Sequence, residues 1–338
     1  GLHFHRIDLP HRRTGAGRYL QEYVSFLARA AFRATVLSLH HRYDVVQVDN
    51  LPDPLVLAGL PARWRGAWMV FFMYELMPEL TAARLQVGER HPLVRLTRVV
   101  QRMALACADH VVVVTHPTRR FLVQRGVDAA KLSVVPNTQA SAEPMPITAP
   151  AAPELIILST LIDRYGVDVA IRATAELVRD WPDLTLHVCG AGHRRGDLEA
   201  LAAHLGIGSR VVFHGHIPWD AAMARLRRST LGIVPVVDDG YASWLLPNKL
   251  LEYVSHGVPA VCSRMSTVRE YFDEDAVTYF EPGDARDLAA AVSRLLRDPA
   301  RQASQVERAR RAYQTLSWEN VSPRYRAALG VGAQDDPA

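Results

Sequence analysis

Cysteine is scarce in this chain: three residues in 338, at positions 107, 189 and 262. Each stands alone inside or beside an apolar run. That spacing fits buried free thiols in a reducing cytoplasm better than a disulfide framework or a metal site. Long hydrophobic runs are also missing. No stretch approaches the ~20 apolar residues of a membrane-spanning helix, and no basic–apolar–small leader pattern opens the sequence. Neither glycine loop carries a full dinucleotide fingerprint followed by an acidic residue at the required distance, which argues against a nicotinamide enzyme. No convincing Ser/His/Asp set, metal-ligand spacing or close carboxylate pair is present. Neither a metal nor a resident cofactor is expected.

What is present is ordinary soluble composition, 49% hydrophobic and 22% charged, at a length beyond what one core usually supports. Short apolar runs alternate with helical patterns, which predicts α/β domains with parallel sheets. In the first half, strands are expected at 2–7, 33–37, 44–48, 67–73, 110–114 and 132–135. Helices are expected at 18–28, 91–106 and 117–125. Residues 138–153 then break the pattern with four prolines and a run of Ala, Ser and Thr, reading as a linker. Beyond it strands are expected at 155–158, 184–188, 211–213, 231–235, 259–262 and 277–280. Helices are expected at 167–178, 197–204, 219–228 and 248–256. A capping-box spacing at Thr267 and Glu270 suggests another short helix, and 318–329 reads as a final amphipathic one. The expected organisation is thus a first domain over 1–145, a linker, a second domain over 154–315, and a last helix within 316–330 returning to the first domain.

The net charge of +4, carried by 39 Lys and Arg, fits an anionic ligand, an anionic membrane or nucleic acid without separating them. Arg90, Arg95, Arg98 and Arg102 share a predicted helix with Leu93, Leu96, Val99 and Val100. That is either a solvated face or a surface that rests on anionic lipid. No nucleic-acid partner is expected.

Open parallel sheets bind ligands at the carboxyl ends of their strands, so four loops are candidates. The first contains Arg13, Gly15 and Gly17, suited to an anion at a helix N-terminus or simply to a tight turn. The second contains Arg164, whose fork of donors can clamp a diphosphate. The third, Gly190-Ala191-Gly192, either turns the chain or offers backbone to a ligand. The fourth runs from Asp238 and Asp239 through Leu246-Pro247-Asn248-Lys249 to Glu252. Pro247 suits a first helical turn, Lys249 projects near its amide-rich end, and Glu252 can accept two hydroxyl hydrogen bonds, as a ribose diol requires.

The run from Leu246 to Tyr253, followed by Gly257-Val258-Pro259, resembles the donor-site motif of the retaining glycosyltransferases of family 4. Ala108-Asp109-His110-Val111-Val112 through Val135-Pro136-Asn137, Asp163-Arg164-Tyr165-Gly166, Phe213-His214-Gly215-His216 and Thr14-Gly15-Ala16-Gly17 resemble further segments of that family, in its order. The resemblance implies the GT-B fold, two Rossmann-like doubly wound domains facing a central cleft. It implies a nucleotide-diphosphate sugar as donor, transferred with retention and without metal to a carbohydrate or polyprenyl-linked acceptor, as in surface-polysaccharide or glycoconjugate synthesis. Glu252 would hold the ribose, Arg164 and Lys249 the diphosphate, and Gly215 and His216 the base, with Leu246 and Asn248 lining the donor site.

Several positions depart from the family pattern. Trp244 stands where a first glutamate is usual, leaving Asp238 or Asp239 to contact the sugar. Thr160 and Tyr165 replace a usual Arg and Lys. Tyr74-Glu75 replaces a His–Asp pair, with Tyr74 still able to bind a sugar hydroxyl, and the first domain is short. Two alternatives stay open: a sugar-nucleotide epimerase of similar architecture, and a degenerate, non-catalytic sugar-nucleotide-binding protein.

Overall fold

A computed structural model describes residues 3–7, 16–138 and 152–331. The chain forms two units, residues 1–136 with 322–338, and residues 137–321.

In the first unit, α1 (Ala16–His40), β1 (Val45–Asp49), α2 (Val56–Trp64), β2 (Trp68–Met73), α3 (Met77–Leu85), α4 (Pro92–Cys107), β3 (His110–Val113), α5 (His116–Gln124) and β4 (Leu132–Val134) follow one another. The strands form a parallel sheet in the order β1-β2-β3-β4. Its centre is continuous Val, Met and Phe because both faces are covered: Met69, Val70, Phe71, Val111 and Val112 are all buried. Two expected strands are absent. Residues 3–7 have no regular structure, and 33–37 lie inside the 25-residue α1. The β-branched pair Thr35 and Val36 favours a strand locally. The run is nevertheless too short and too embedded in a helical period to escape the helix, and the Thr35 hydroxyl donates to the Ala31 carbonyl one turn back.

The second unit runs β5 (Glu154–Leu158), α6 (Val167–Leu177), β6 (Thr185–Cys189), α7 (Arg195–His204), β7 (Val211–Gly215), α8 (Trp219–Arg228), β8 (Leu231–Val234), α9 (Asn248–Ser255), β9 (Ala260–Ser263), α10 (Ser266–Tyr271), β10 (Thr278–Phe280), α11 (Ala285–Leu296) and α12 (Pro299–Gln314). The sheet order is β10-β9-β8-β5-β6-β7, all parallel. Successive strand residues feed two cores. Leu155 and Ile157 pack with α6 and α11, while Ile156 and Leu158 pack with α9 and Tyr313 of α12. The order reverses between β5 and β8, which defines a topological switch point.

The expected capping box of α10 does not form: the N-cap is Met265, with no side-chain cap. Thr267 instead turns its hydroxyl to the Ser243 carbonyl, tying the helix to the loop after β8. The last helix, α13 (Trp318–Ala328), packs on β1 and β2 of the first unit. There the Trp68 indole donates to the Ala328 carbonyl at 3.0 Å and the Tyr325 hydroxyl donates to Gln47 at 2.6 Å.

Candidate active site

The loops leaving β5 and β8 flank the switch point of the second unit, and they hold most of the charged residues singled out above. Arg164 sits in a short 3-10 turn, Asp163–Tyr165. Its Nε donates to Asp239 Oδ2 at 2.5 Å, and its guanidinium lies over the Tyr241 ring, 5.2 Å from the centroid. Asp239 Oδ1 accepts the backbone N–H groups of Tyr241 and Ala242 at 3.0 and 3.1 Å. Asp239 therefore anchors Arg164 and its own loop, a role that the sequence does not suggest.

Pro247 is the N-cap of α9, one residue earlier than the first helical position, and Asn248 opens the helix, exposed to solvent. Lys249 and Glu252, one turn apart, form an ion pair: the ammonium donates to both carboxylate oxygens, at 2.9 and 3.1 Å. Glu252 is 4% exposed, whereas the Lys249 side chain is 44% exposed. The carboxylate is thus enclosed while its cation partner reaches solvent. Leu246 is half-buried against the core beneath α9.

Gly190 and Gly192 are required by close packing. A Cβ at Gly190 would lie 1.7 Å from the Ser159 carbonyl oxygen and one at Gly192 2.2 Å from that of Leu161. The β6 exit thus lies directly on the β5 exit, fastened by the Leu161 N–H donating to the Ala191 carbonyl and the Arg194 N–H donating to that of Leu161. Gly215 ends β7, its carbonyl accepting the Gly190 N–H at 2.8 Å. The Arg195 guanidinium stands in front of it, 3.2 Å from where a Cβ would be. His216 follows, exposed. Sequence reasoning misses Arg194 and Arg195. The signal is there, two arginines directly after a strand and a glycine pair.

In the first unit, Tyr74 follows β2 with its side chain exposed and its ring stacked on Phe72, centroids 4.5 Å apart. Partial burial, with Asp49 and Tyr325 nearby, pushes its pKa up, so it remains a hydroxyl donor at neutral pH. Its backbone N–H donates to Asn50 Oδ1 at 2.9 Å. The Asn50 amide in turn donates to the Glu75 carbonyl at 2.7 Å and to Asp53 Oδ1 at 3.1 Å. Asp53 is 1% exposed, and burial raises its carboxyl to about 6, against the lowering effect of Asn50. Neither Asn50 nor Asp53 stands out in sequence, although a polar, proline-bearing segment directly after a strand marks such a turn. Arg13 and Gly15 lie outside the described residues, and Gly17 falls in the first turn of α1, where the backbone alone is described.

Two parallel-sheet α/β units in one chain, one doubly wound with charged loops at its switch point, form the architecture of the GT-B glycosyltransferases. Residues 1–138 match the Glycosyl transferase 4-like domain and residues 152–298 match Glycosyl transferases group 1. The chain belongs to this glycosyltransferase family. Among its relatives is the GDP-mannose-dependent alpha-(1-6)-phosphatidylinositol monomannoside mannosyltransferase of Mycolicibacterium smegmatis, 27% identical, with 88% of this chain and 89% of that protein covered. The 2-deoxystreptamine glucosyltransferase of Streptomyces kanamyceticus is also 27% identical, with 87% and 79% covered. The fold is shared with sucrose-phosphate synthase from Thermosynechococcus elongatus, at a TM-score of 0.71 and 19% identity, covering 94% of this chain and 81% of that one. It is shared too with Anabaena HepE in complex with UDP, at a TM-score of 0.70 and 17% identity, covering 90% and 81%.

Proposed function

We propose that this glycosyltransferase takes a nucleotide-diphosphate sugar as donor and transfers the sugar, with retention and without metal, to a carbohydrate or polyprenyl-linked acceptor. The observation that carries the reading is the buried Glu252 carboxylate paired with the solvent-reachable Lys249 ammonium beside the switch point. A ribose diol takes the carboxylate oxygens, and the displaced ammonium follows the diphosphate. Gly215 and His216 border the base, while Leu246 and Asn248 line the approach to the helix.

In the transfer step the bond from the anomeric carbon to the diphosphate oxygen breaks, and the acceptor oxygen bonds to the same face of that carbon. The acceptor proton passes to the leaving diphosphate, so no side-chain base is needed. Arg164 and Lys249 stabilise the charge that develops on the leaving group, and the Tyr74 hydroxyl binds a sugar hydroxyl. The names of the relatives point to a phosphatidylinositol mannoside and to 2-deoxystreptamine, which supports a hydroxyl-rich acceptor in glycoconjugate or polysaccharide synthesis.

Among the described residues no helix is long and apolar enough to cross a membrane. α4 exposes Leu93, Leu96, Val99 and Met103, with Arg95 and Arg102 also exposed. Such a face supports peripheral contact with an anionic membrane at its cytoplasmic side. Flotation with vesicles containing phosphatidylglycerol should carry the protein, and Leu96→Glu should release it; a wild-type protein left at the bottom removes membrane contact.

The donor reading is tested by thermal shift against UDP, GDP, ADP and TDP, with and without EDTA. Selective stabilisation by one nucleotide that survives chelation supports it. No shift at millimolar nucleotide sinks it.

A further inference from the structure

The loops on the two sides of the switch point are locked together around Arg164. The Val237 N–H donates to the Arg164 carbonyl at 2.9 Å. Gly166, at φ 56°, lies so close to Pro235 that a Cβ would come within 1.9 Å of its carbonyl oxygen. Asp239 Oδ2 takes the Arg164 Nε, and the Tyr241 face lies under the guanidinium. The Arg164 and Asp239 side chains are 15% and 21% exposed, and Tyr241 is 2% exposed.

A guanidinium fixed at Nε and stacked on a ring has its plane set. Its two terminal nitrogens then point the remaining donors in one direction. Lysine in its place would lack that fork. Asp239 is itself rigid, because its other oxygen is held by two backbone N–H groups of the same loop.

We propose that Asp239 and Tyr241 are positioning residues that hold Arg164 as a preset fork for the distal phosphate of the donor diphosphate. Asp239 touches no sugar in this arrangement; it acts through Arg164. The inference rests on the donor reading above, and adds that discrimination between a nucleoside diphosphate and the corresponding monophosphate depends on the Asp239–Arg164 contact. Preorganisation is the physical gain: a long side chain already ordered loses little conformational entropy when the anion arrives.

The test is calorimetric binding of GDP, GMP, UDP and UMP to the whole chain. Wild type should bind one diphosphate at least about tenfold tighter than its monophosphate, the scale of one charge-assisted contact. Asp239→Asn keeps an oxygen for the Tyr241 and Ala242 N–H groups but loses the charge that orients Arg164. It should reduce that ratio about fivefold or more and leave the monophosphate affinity unchanged. Arg164→Ala should lower the ratio at least as far as Asp239→Asn does, Lys249 keeping the remainder, and adding Asp239→Asn to it should change nothing further. Asp239→Glu should restore part of the ratio, which a merely structural role would not do. Tyr241→Leu, checked for folding by its melting temperature, should act in the same direction as Asp239→Asn. A wild-type ratio near one, or an Asp239→Asn ratio equal to wild type, overturns the proposal while the donor reading stands. Absence of binding by all four nucleotides defeats the donor reading itself.

Discussion

The Lys249 ammonium bridges both oxygens of the Glu252 carboxylate, at 2.9 and 3.1 Å, from one turn earlier on α9. The two residues expected to serve different parts of a nucleotide thus hold each other. The pair is asymmetric, an enclosed carboxylate with a half-exposed amine.

Glu252→Gln should weaken nucleoside-diphosphate binding on the order of tenfold to a hundredfold, the range for losing hydrogen bonds to a charged acceptor. Isothermal calorimetry reads it directly. Because Lys249 reaches solvent, its loss of a partner should cost the fold little, and the melting temperature should fall by only a few degrees.

Arg164→Ala should lower kcat more than it raises the donor KM, since charge on the leaving group is greatest in the transition state. It also strands the Asp239 carboxylate, whose side chain is 21% exposed, so the variant should melt below wild type. A pure rise in donor KM with unchanged kcat would assign Arg164 to ground-state binding alone.

Asp53 makes the first unit less stable as pH rises. Its carboxyl titrates at about 6 when folded and near 3.9 when unfolded. Between those values the folded state therefore binds more protons, and stability drops by on the order of 3 kcal/mol in total. Asp53→Asn should flatten that slope and raise stability at pH 8. Urea melts at pH 4.5, 6 and 8 measure both effects.

His187 works in the opposite direction. Arginine only donates, so the contact from Arg225 makes His187 Nε2 an acceptor, and its Nδ1–H donates to His214 Nε2 at 3.0 Å. Burial, then the Arg225 charge, then His214, press its pKa down to about 4. The unfolded chain binds the extra proton between about 6.5 and 4, so stability should fall as pH drops through that window. His187→Gln should lessen that acid loss in melts of the whole protein.

Gly190→Ala should destabilise the second unit by roughly 3 kcal/mol or more, the scale of a forced backbone shift in a packed loop. The added methyl would meet the Ser159 carbonyl oxygen. Denaturant unfolding that matches wild type would show that the two loops separate without cost.

The central strands of the second unit are legible because they are buried on both faces and so read as near-continuous apolar runs, Leu155–Leu158 being the plainest case; the edge strand β7 is partly exposed. The first unit is harder. Thr35-Val36-Leu37 looks like a strand locally, and only its continuity with the rest of α1 overrides that preference. Helices α2, α3, α11 and α12 escape the sequence reading, α2 because Pro61 interrupts its pattern.

For the site, residue chemistry and local spacing suffice to find Arg164, Lys249 and Glu252. Each follows a strand, and a parallel sheet places such residues at its carboxyl edge whatever the rest of the chain does. Which of them pair is decided by the fold. Arg164 and Asp239 are 75 residues apart in sequence, beyond the reach of any local pattern. They meet because β5 and β8 are neighbours across the switch point. Asn50 reaches Tyr74 in the same way, because β1 and β2 end side by side. Local periodicity encodes elements and their loops; long-range strand order, settled by packing both sheet faces at once, brings those loops into contact.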